Sequence, residues 1–137
     1  MIFVVIDTNV LVSALFTQNV EAATVKILDA MLQGRMVPLY NDEIIAEYKD
    51  VLHRSKFHFS PSLVNSYLEK ICKMGLSAVR IQSTETFPDP KDIVFYEVAL
   101  SKDGAYLVTG NTKHFPKKPI VVTPAEMLDI LQREGIL

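Results

Sequence analysis

The stretch Ile2-Phe3-Val4-Val5-Ile6-Asp7-Thr8-Asn9-Val10-Leu11-Val12-Ser13 decides the fold. Its first five residues are all β-branched or aromatic, with no polar alternation. That is the pattern of a strand buried on both faces. An acid follows at once, then two more cap-capable side chains, Thr8 and Asn9. From residue 10 to residue 16 the apolar side chains recur at helical spacing.

Working outward, strand and helix signals alternate. Further strands are predicted over 36–40, 78–81, 105–108 and 120–122. Pro38 inside the second of these points to an irregular or edge strand. Helices are predicted over 20–32, from Asn41 or Asp42 to 53, over 60–74 with Gly75 as its stop, over 89–102 and over 123–133. Two of these helices are amphipathic, with Ile44, Ile45, Tyr48, Val51 and Leu52 on one face of the helix ending at 53, and Leu63, Val64, Tyr67, Leu68 and Ile71 on one face of the helix over 60–74. Alternation of this kind means an α/β fold, a parallel sheet with helices on both faces. Ligands of such sheets sit outside the carboxyl ends of the strands.

The 137 residues form one predicted domain, 1–137, with no repeat, low-complexity tract or linker. A chain that is 49% hydrophobic and 22% charged is not disordered. Its formal charge of −2 lacks the basic excess usual in nucleic-acid binders. The single cysteine, Cys72, excludes an internal disulfide and a cysteine-based zinc site; it reads as a small buried hydrophobe. Met31, Met36, Met74 and Met127 read as core. No apolar run is long enough for a membrane span, and Met1 to Ile6 lacks the basic lead-in of a signal peptide. The expectation is a soluble cytoplasmic domain.

Four positions carry candidate chemistry. Asp7 ends the first strand and is either functional or a helix cap. Glu47 lies at the margin of an apolar helix face, about 100° per residue from its neighbours; taken alone, it reads as a solvated side chain covering the edge of the core. Asp92 stands three residues after Asp89 and two after Pro90, so a capping-box start explains it too. The same grammar recurs at Thr123-Pro124-Ala125-Glu126, where Glu126 is assigned to capping alone. Thr109-Gly110-Asn111 follows a strand, with a glycine that permits close backbone approach. A sheet that gathers these groups at one edge would desolvate several carboxylates together, and a hard divalent cation such as Mg²⁺ or Mn²⁺ would offset that cost.

In this order and spacing the motifs resemble the PIN domain, a nuclease fold found in many toxin components of prokaryotic toxin–antitoxin pairs. The carrying residues are 4–13, Glu47 within 43–48, Asp89-Pro90-Lys91-Asp92-Ile93-Val94-Phe95, and Tyr106-Leu107-Val108-Thr109-Gly110-Asn111. The resemblance implies a three-layer α/β/α sandwich and a metal-dependent endoribonuclease. It places Asp7, Glu47 and Asp92 as metal-binding acids using Mg²⁺ or Mn²⁺. The family's fourth acid falls on Asn111, an uncharged departure that lowers the expected metal affinity. Ile93 also replaces an acid often found beside the third position, and 111–116 reads Asn-x-x-His-Phe-Pro. Thr8, Asn9, Ser13 and Thr109 are expected to orient ligands or substrate. Lys113, His114, Lys117 and Lys118 are candidate RNA contacts, with Phe115 as a ring that stacks on a base. His53, Arg54, Lys56 and His58 read as ordinary surface. An antitoxin protein and a homodimer are implied by the resemblance only. The alternative function is a catalytically weak PIN-fold module that binds RNA or a partner protein. Haloacid-dehalogenase and receiver readings fail on Asn9 and on the missing lysine before Thr123-Pro124.

Overall fold

The computed structural model describes residues 1–137. Five strands form one parallel sheet: β1 (Phe3–Ile6), β2 (Val37–Tyr40), β3 (Leu76–Ser77), β4 (Tyr106–Val108) and β5 (Val121–Val122), in the order β3-β2-β1-β4-β5. Six helices complete an α/β/α sandwich: α1 (Thr8–Phe16), α2 (Ala23–Leu32), α3 (Asp42–Leu52), α4 (Pro61–Met74), α5 (Ile93–Ala99) and α6 (Pro124–Arg133). Val4, Val5 and Ile6 are all buried, although successive side chains of a strand point to opposite faces. Both faces of β1 are therefore covered, as its unbroken apolar run demands.

The order of the strands locates the site. From β1 the chain crosses to β2 on one side; from β4 it continues to β5 on the other. The crevice between the carboxyl ends of β1 and β4 is thus the topological switch point, where open α/β sheets bind ligands. The register pairs Ile6 with Val108, so Asp7 and Thr109 emerge side by side.

Capping residues set the helix starts. The Asn41 side chain accepts from the Ile44 amide, Ser60 accepts from Leu63, and Thr123 with Glu126 closes a full capping box.

The structure departs from the sequence reading in several places. Pro38 lies in an internal strand, not at an edge. The amide of Val37 bonds to the Ile2 carbonyl just before β1, so position 38 faces the β3 side, where pairing starts only at Leu39 with Leu76. The missing N–H of Pro38 is thus never needed. β3 forms two residues earlier than the predicted 78–81 segment. The amide of Ala78 makes the last bond to Tyr40, and Arg80 then draws the chain off the sheet by pairing with Glu97 and Glu43. An Asn19-centred turn uses up residues 19–22, so α2 starts at Ala23. α5 ends at Ala99, three residues short of 102, where the Ser101 hydroxyl takes the Val98 carbonyl. Leu63 is exposed, and Cys72 and Met74 are only half-buried.

Gly75 makes the turn from α4 into β3 against backbone. A Cβ there would lie 2.4 Å from the Pro38 carbonyl oxygen and 2.6 Å from that of Ile71. Neither atom can move without shifting a strand or a helix. Gly75→Ala is expected to destabilise the protein by about 1–3 kcal/mol, read as a lower urea midpoint at unchanged slope. An unchanged midpoint would contradict this packing.

Candidate active site

Asp7 is almost fully buried at the carboxyl end of β1. Its amide bonds to the Val108 carbonyl, at 2.9 Å, which ties it to the neighbouring strand. Its Oδ2 accepts from the Thr109 hydroxyl at 2.8 Å and from Asn9 Nδ2 at 3.2 Å. Neither bond uses Oδ1. The Thr109 hydroxyl accepts in turn from the Asn111 amide at 3.0 Å, and Asn9 Oδ1 accepts from the Gly110 amide at 3.1 Å. Asn9 and Thr109 thus lock the β1 and β4 ends together around one carboxylate. Although Asp7 occupies the N-cap position of α1, its side chain makes no capping bond, so capping does not explain it.

Glu47 is brought in from α3. Its Oε2 accepts from the Thr8 hydroxyl at the start of α1. Glu47 is half-buried at the edge of a groove, so it keeps some solvent and gains a specific partner in Thr8. Glu47 makes no ion pair with Lys49, two residues on, or with any other base.

Asp92 ends the 3₁₀ turn before α5. The capping reading fails for it as well: Asp89 caps this turn alone, through the Lys91 amide, and Asp92 makes no side-chain cap bond. Asp92 Oδ2 is buried and has no hydrogen-bond partner. His114 Nδ1 stands 3.4 Å from it, within ion-pair range but not aligned as a hydrogen bond. The other ring nitrogen, Nε2, lies 3.1 Å from Asn111 Nδ2. With that amide donating, Nε2 accepts and the ring proton sits on Nδ1, facing Asp92.

The electrostatics bind these groups into one site. Burial pushes the Asp7 carboxyl up to about 6, and the charges of Asp92 and Glu47 add to the rise; the Thr109 hydrogen bond works against it. Burial also raises Asp92, with Asp89 and Glu47 adding to it and His114 opposing. No three His, Cys, Asp or Glu side chains come close enough to cage a metal ion unaided. Mg²⁺ does not require such a cage, because it keeps several waters and is commonly held by one or two carboxylates. An unpartnered buried carboxylate oxygen beside a desolvated aspartate fits that mode of binding.

The remaining candidates are placed as follows. Ser13 is exposed on α1 and faces Thr24, at 3.3 Å. His114 faces Asp92, and Lys118 pairs with Glu85 at 3.1 Å; Lys113 and Lys117 are exposed. Phe115 is buried edge-on against Phe87 and has no face to offer a base. Tyr48 was legible only as core, yet its hydroxyl donates to the Ile6 carbonyl, the residue before Asp7. A tyrosine on an apolar helix face needs such a partner, and that was the available signal.

The switch point of the parallel sheet thus carries Asp7, with Asp92 and Glu47 within electrostatic reach of it. A PIN domain family model matches residues 3–113, spanning all four candidate positions, and the chain belongs to the PIN domain family, whose members typically use divalent metals. No curated protein matches the chain. No helix is long and apolar enough to cross a membrane.

The raised Asp7 sets a sign for the pH dependence of stability. The folded state holds its proton up to about pH 6, whereas the unfolded chain releases it near 3.8. Without metal, stability therefore falls as pH rises from 3.8 to 6, by up to about 3 kcal/mol. Asp7→Asn keeps an acceptor for Thr109 and removes that charge. In EDTA it is expected to raise Tm at neutral pH and to leave Tm unchanged near pH 4. Equal effects at both pH values would contradict the assignment.

Proposed function

We propose that the protein is a Mg²⁺- or Mn²⁺-dependent endoribonuclease that hydrolyses RNA phosphodiester bonds. The observation that carries this reading is the buried Asp92 Oδ2, which has no hydrogen bond, with His114 Nδ1 3.4 Å away, and which lies within electrostatic reach of the desolvated Asp7. Asp7 and Asp92 would hold the ion, with Glu47 and the Asn111 amide holding it or its waters. When bound, such an ion polarises a phosphodiester oxygen and lowers the pKa of a coordinated water for in-line attack.

The chain's own residues do the positioning. Thr109 and Asn9 fix the Asp7 carboxylate by occupying Oδ2, so that Oδ1 is presented in a set direction. Thr8 does the same for Glu47. His114 supplies a donor beside Asp92. Asn111 leaves the site one negative charge poorer than four acids would be, which favours one ion over two.

The toxin role, the antitoxin partner and the homodimer rest on the resemblance alone and belong to the same proposal, together with the cytoplasmic location read from the sequence. Asn111 favours a second reading, a PIN-fold module that binds RNA or a partner protein with little turnover.

Cleavage of single-stranded RNA with Mn²⁺ separates the two readings. The wild type is expected to cleave and to be stopped by EDTA, and Asp92→Asn is expected to lose at least about a hundredfold in rate while staying folded. Millimolar Mn²⁺ is expected to raise Tm of the wild type and not of Asp92→Asn. Equal cleavage by both proteins, or cleavage that survives EDTA, would overturn the nuclease reading as stated.

A further inference from the structure

A groove of about 790 Å³ opens from the acidic centre between α1 and α3. Its size is that of a pocket for a small organic group. Two stripes line it. On α1, Thr8, Val12 and Phe16 recur at every fourth residue and share one face. On α3 and just beyond it, Glu47, Val51 and Arg54, at intervals of four and three residues, line the facing side. The stripes meet at the Thr8–Glu47 hydrogen bond and run outward from it. Phe16 ends the first stripe, about 12 Å along the helix from Thr8.

Phe16 is a large ring left 66% exposed in this groove. Phe59 supports it edge-on, at 6.5 Å between centroids. Phe57 is less available: Phe59 stacks on it at 5.5 Å, and Lys56 Nζ sits 5.1 Å from its centroid. The free aromatic face in the groove is therefore that of Phe16. Two cations share the groove with it. Lys91 makes no ion pair and precedes Asp92 directly. Arg54 pairs only with Asp50, at 3.1 Å, and both side chains are largely exposed, so that pairing is weak and exchangeable.

We propose that this groove is a nucleobase subsite: the base of a nucleotide flanking the cleaved phosphodiester stacks on Phe16, while Arg54 and Lys91 contact its phosphates. Charge complementarity selects this occupant: of the acids lining the groove, Asp50 is paired with Arg54 and Glu47 is hydrogen-bonded to Thr8, which leaves Lys91 as the unpaired charge in a groove that carries the exposed Phe16 ring, as one nucleotide of a single strand requires. Stacking on an aromatic ring with cations tracking the backbone is how proteins hold single strands without reading sequence. The proposal rests on the nuclease reading for the identity of the substrate and extends it to a residue that sets where the strand lies. Phe16 acts as a positioning residue and touches none of the acids.

Binding is measured with a fluorescein-labelled single-stranded oligoribonucleotide in EDTA at low salt, so that no cleavage intervenes. Phe16→Ala is expected to weaken binding by roughly tenfold, and Phe16→Tyr to restore it. On an abasic strand of the same length, wild type and Phe16→Ala are expected to bind alike. Because Phe16 is exposed, neither substitution removes core packing. Unchanged affinity of Phe16→Ala, or an equal loss on the abasic strand, would overturn the subsite. A fall in sedimentation mass with unchanged RNA affinity would overturn it too, by making Phe16 a protein contact. If ring-dependent binding persists and Mn²⁺ supports no cleavage, the nuclease reading fails and the subsite stands; if cleavage occurs and the ring is dispensable for binding, the reverse holds.

Discussion

A carboxylate held almost dry at the end of a central strand is the feature on which the rest of this site depends. Burial pushes Asp7 up to about 6, and two neighbouring acids push the same way. Charged, it opposes folding; a cation of the right hardness would reverse that sign. The local structure is arranged to keep Asp7 there regardless. Its amide is committed to Val108, its Oδ2 to Thr109 and Asn9, and the strand that carries it is buried on both faces. Tyr48 anchors the preceding carbonyl from α3. The β1–β4 pairing and the α1–α3 contact thus converge on one side chain.

The chain balances its charges by position, not by sum. The formal charge of −2 argues against a nucleic-acid partner only if the acids are spread over the surface. Asp7, Glu47 and Asp92 are drawn together instead, and a divalent ion there would bring the total to about zero. Lys91, next to Asp92, and Arg54 border the same crevice. Attraction for a phosphate backbone then arises beside the acids. Arg80, by contrast, is spent on the fold, bridging Glu43 and the buried Glu97 to fasten the loop that leaves β3.

The parallel sheet, though not its strand order, could be reached from the apolar run before Asp7 and the alternation after it, because burial on both faces leaves a local pattern in sequence. The capping residues Asn41, Ser60 and Thr123 were equally plain, since each acts within three residues. What escaped was set by long-range contact. β3 begins where Gly75 meets Pro38, and no local pattern marks that meeting. Glu47 and Asp92 each had an adequate local explanation, a solvated face and a capping box. Thr8, 39 residues away, gives Glu47 a specific partner that no local pattern announces, and the absence of any cap bond from Asp92 removes its capping reading. Phe115 and Phe16 show the converse. Both are rings near basic residues, and only burial separates the one packed against Phe87 from the one facing the groove.

The central claim is that Asp7 and Asp92 share a divalent ion. A crystal soaked in Mn²⁺ and measured at a wavelength where manganese scatters anomalously tests it directly. The account predicts one strong anomalous peak in contact with both carboxylates, with Glu47 and Asn111 bound to it or to its waters. Anomalous density confined to other parts of the molecule, with Asp92 still unpartnered, would contradict it.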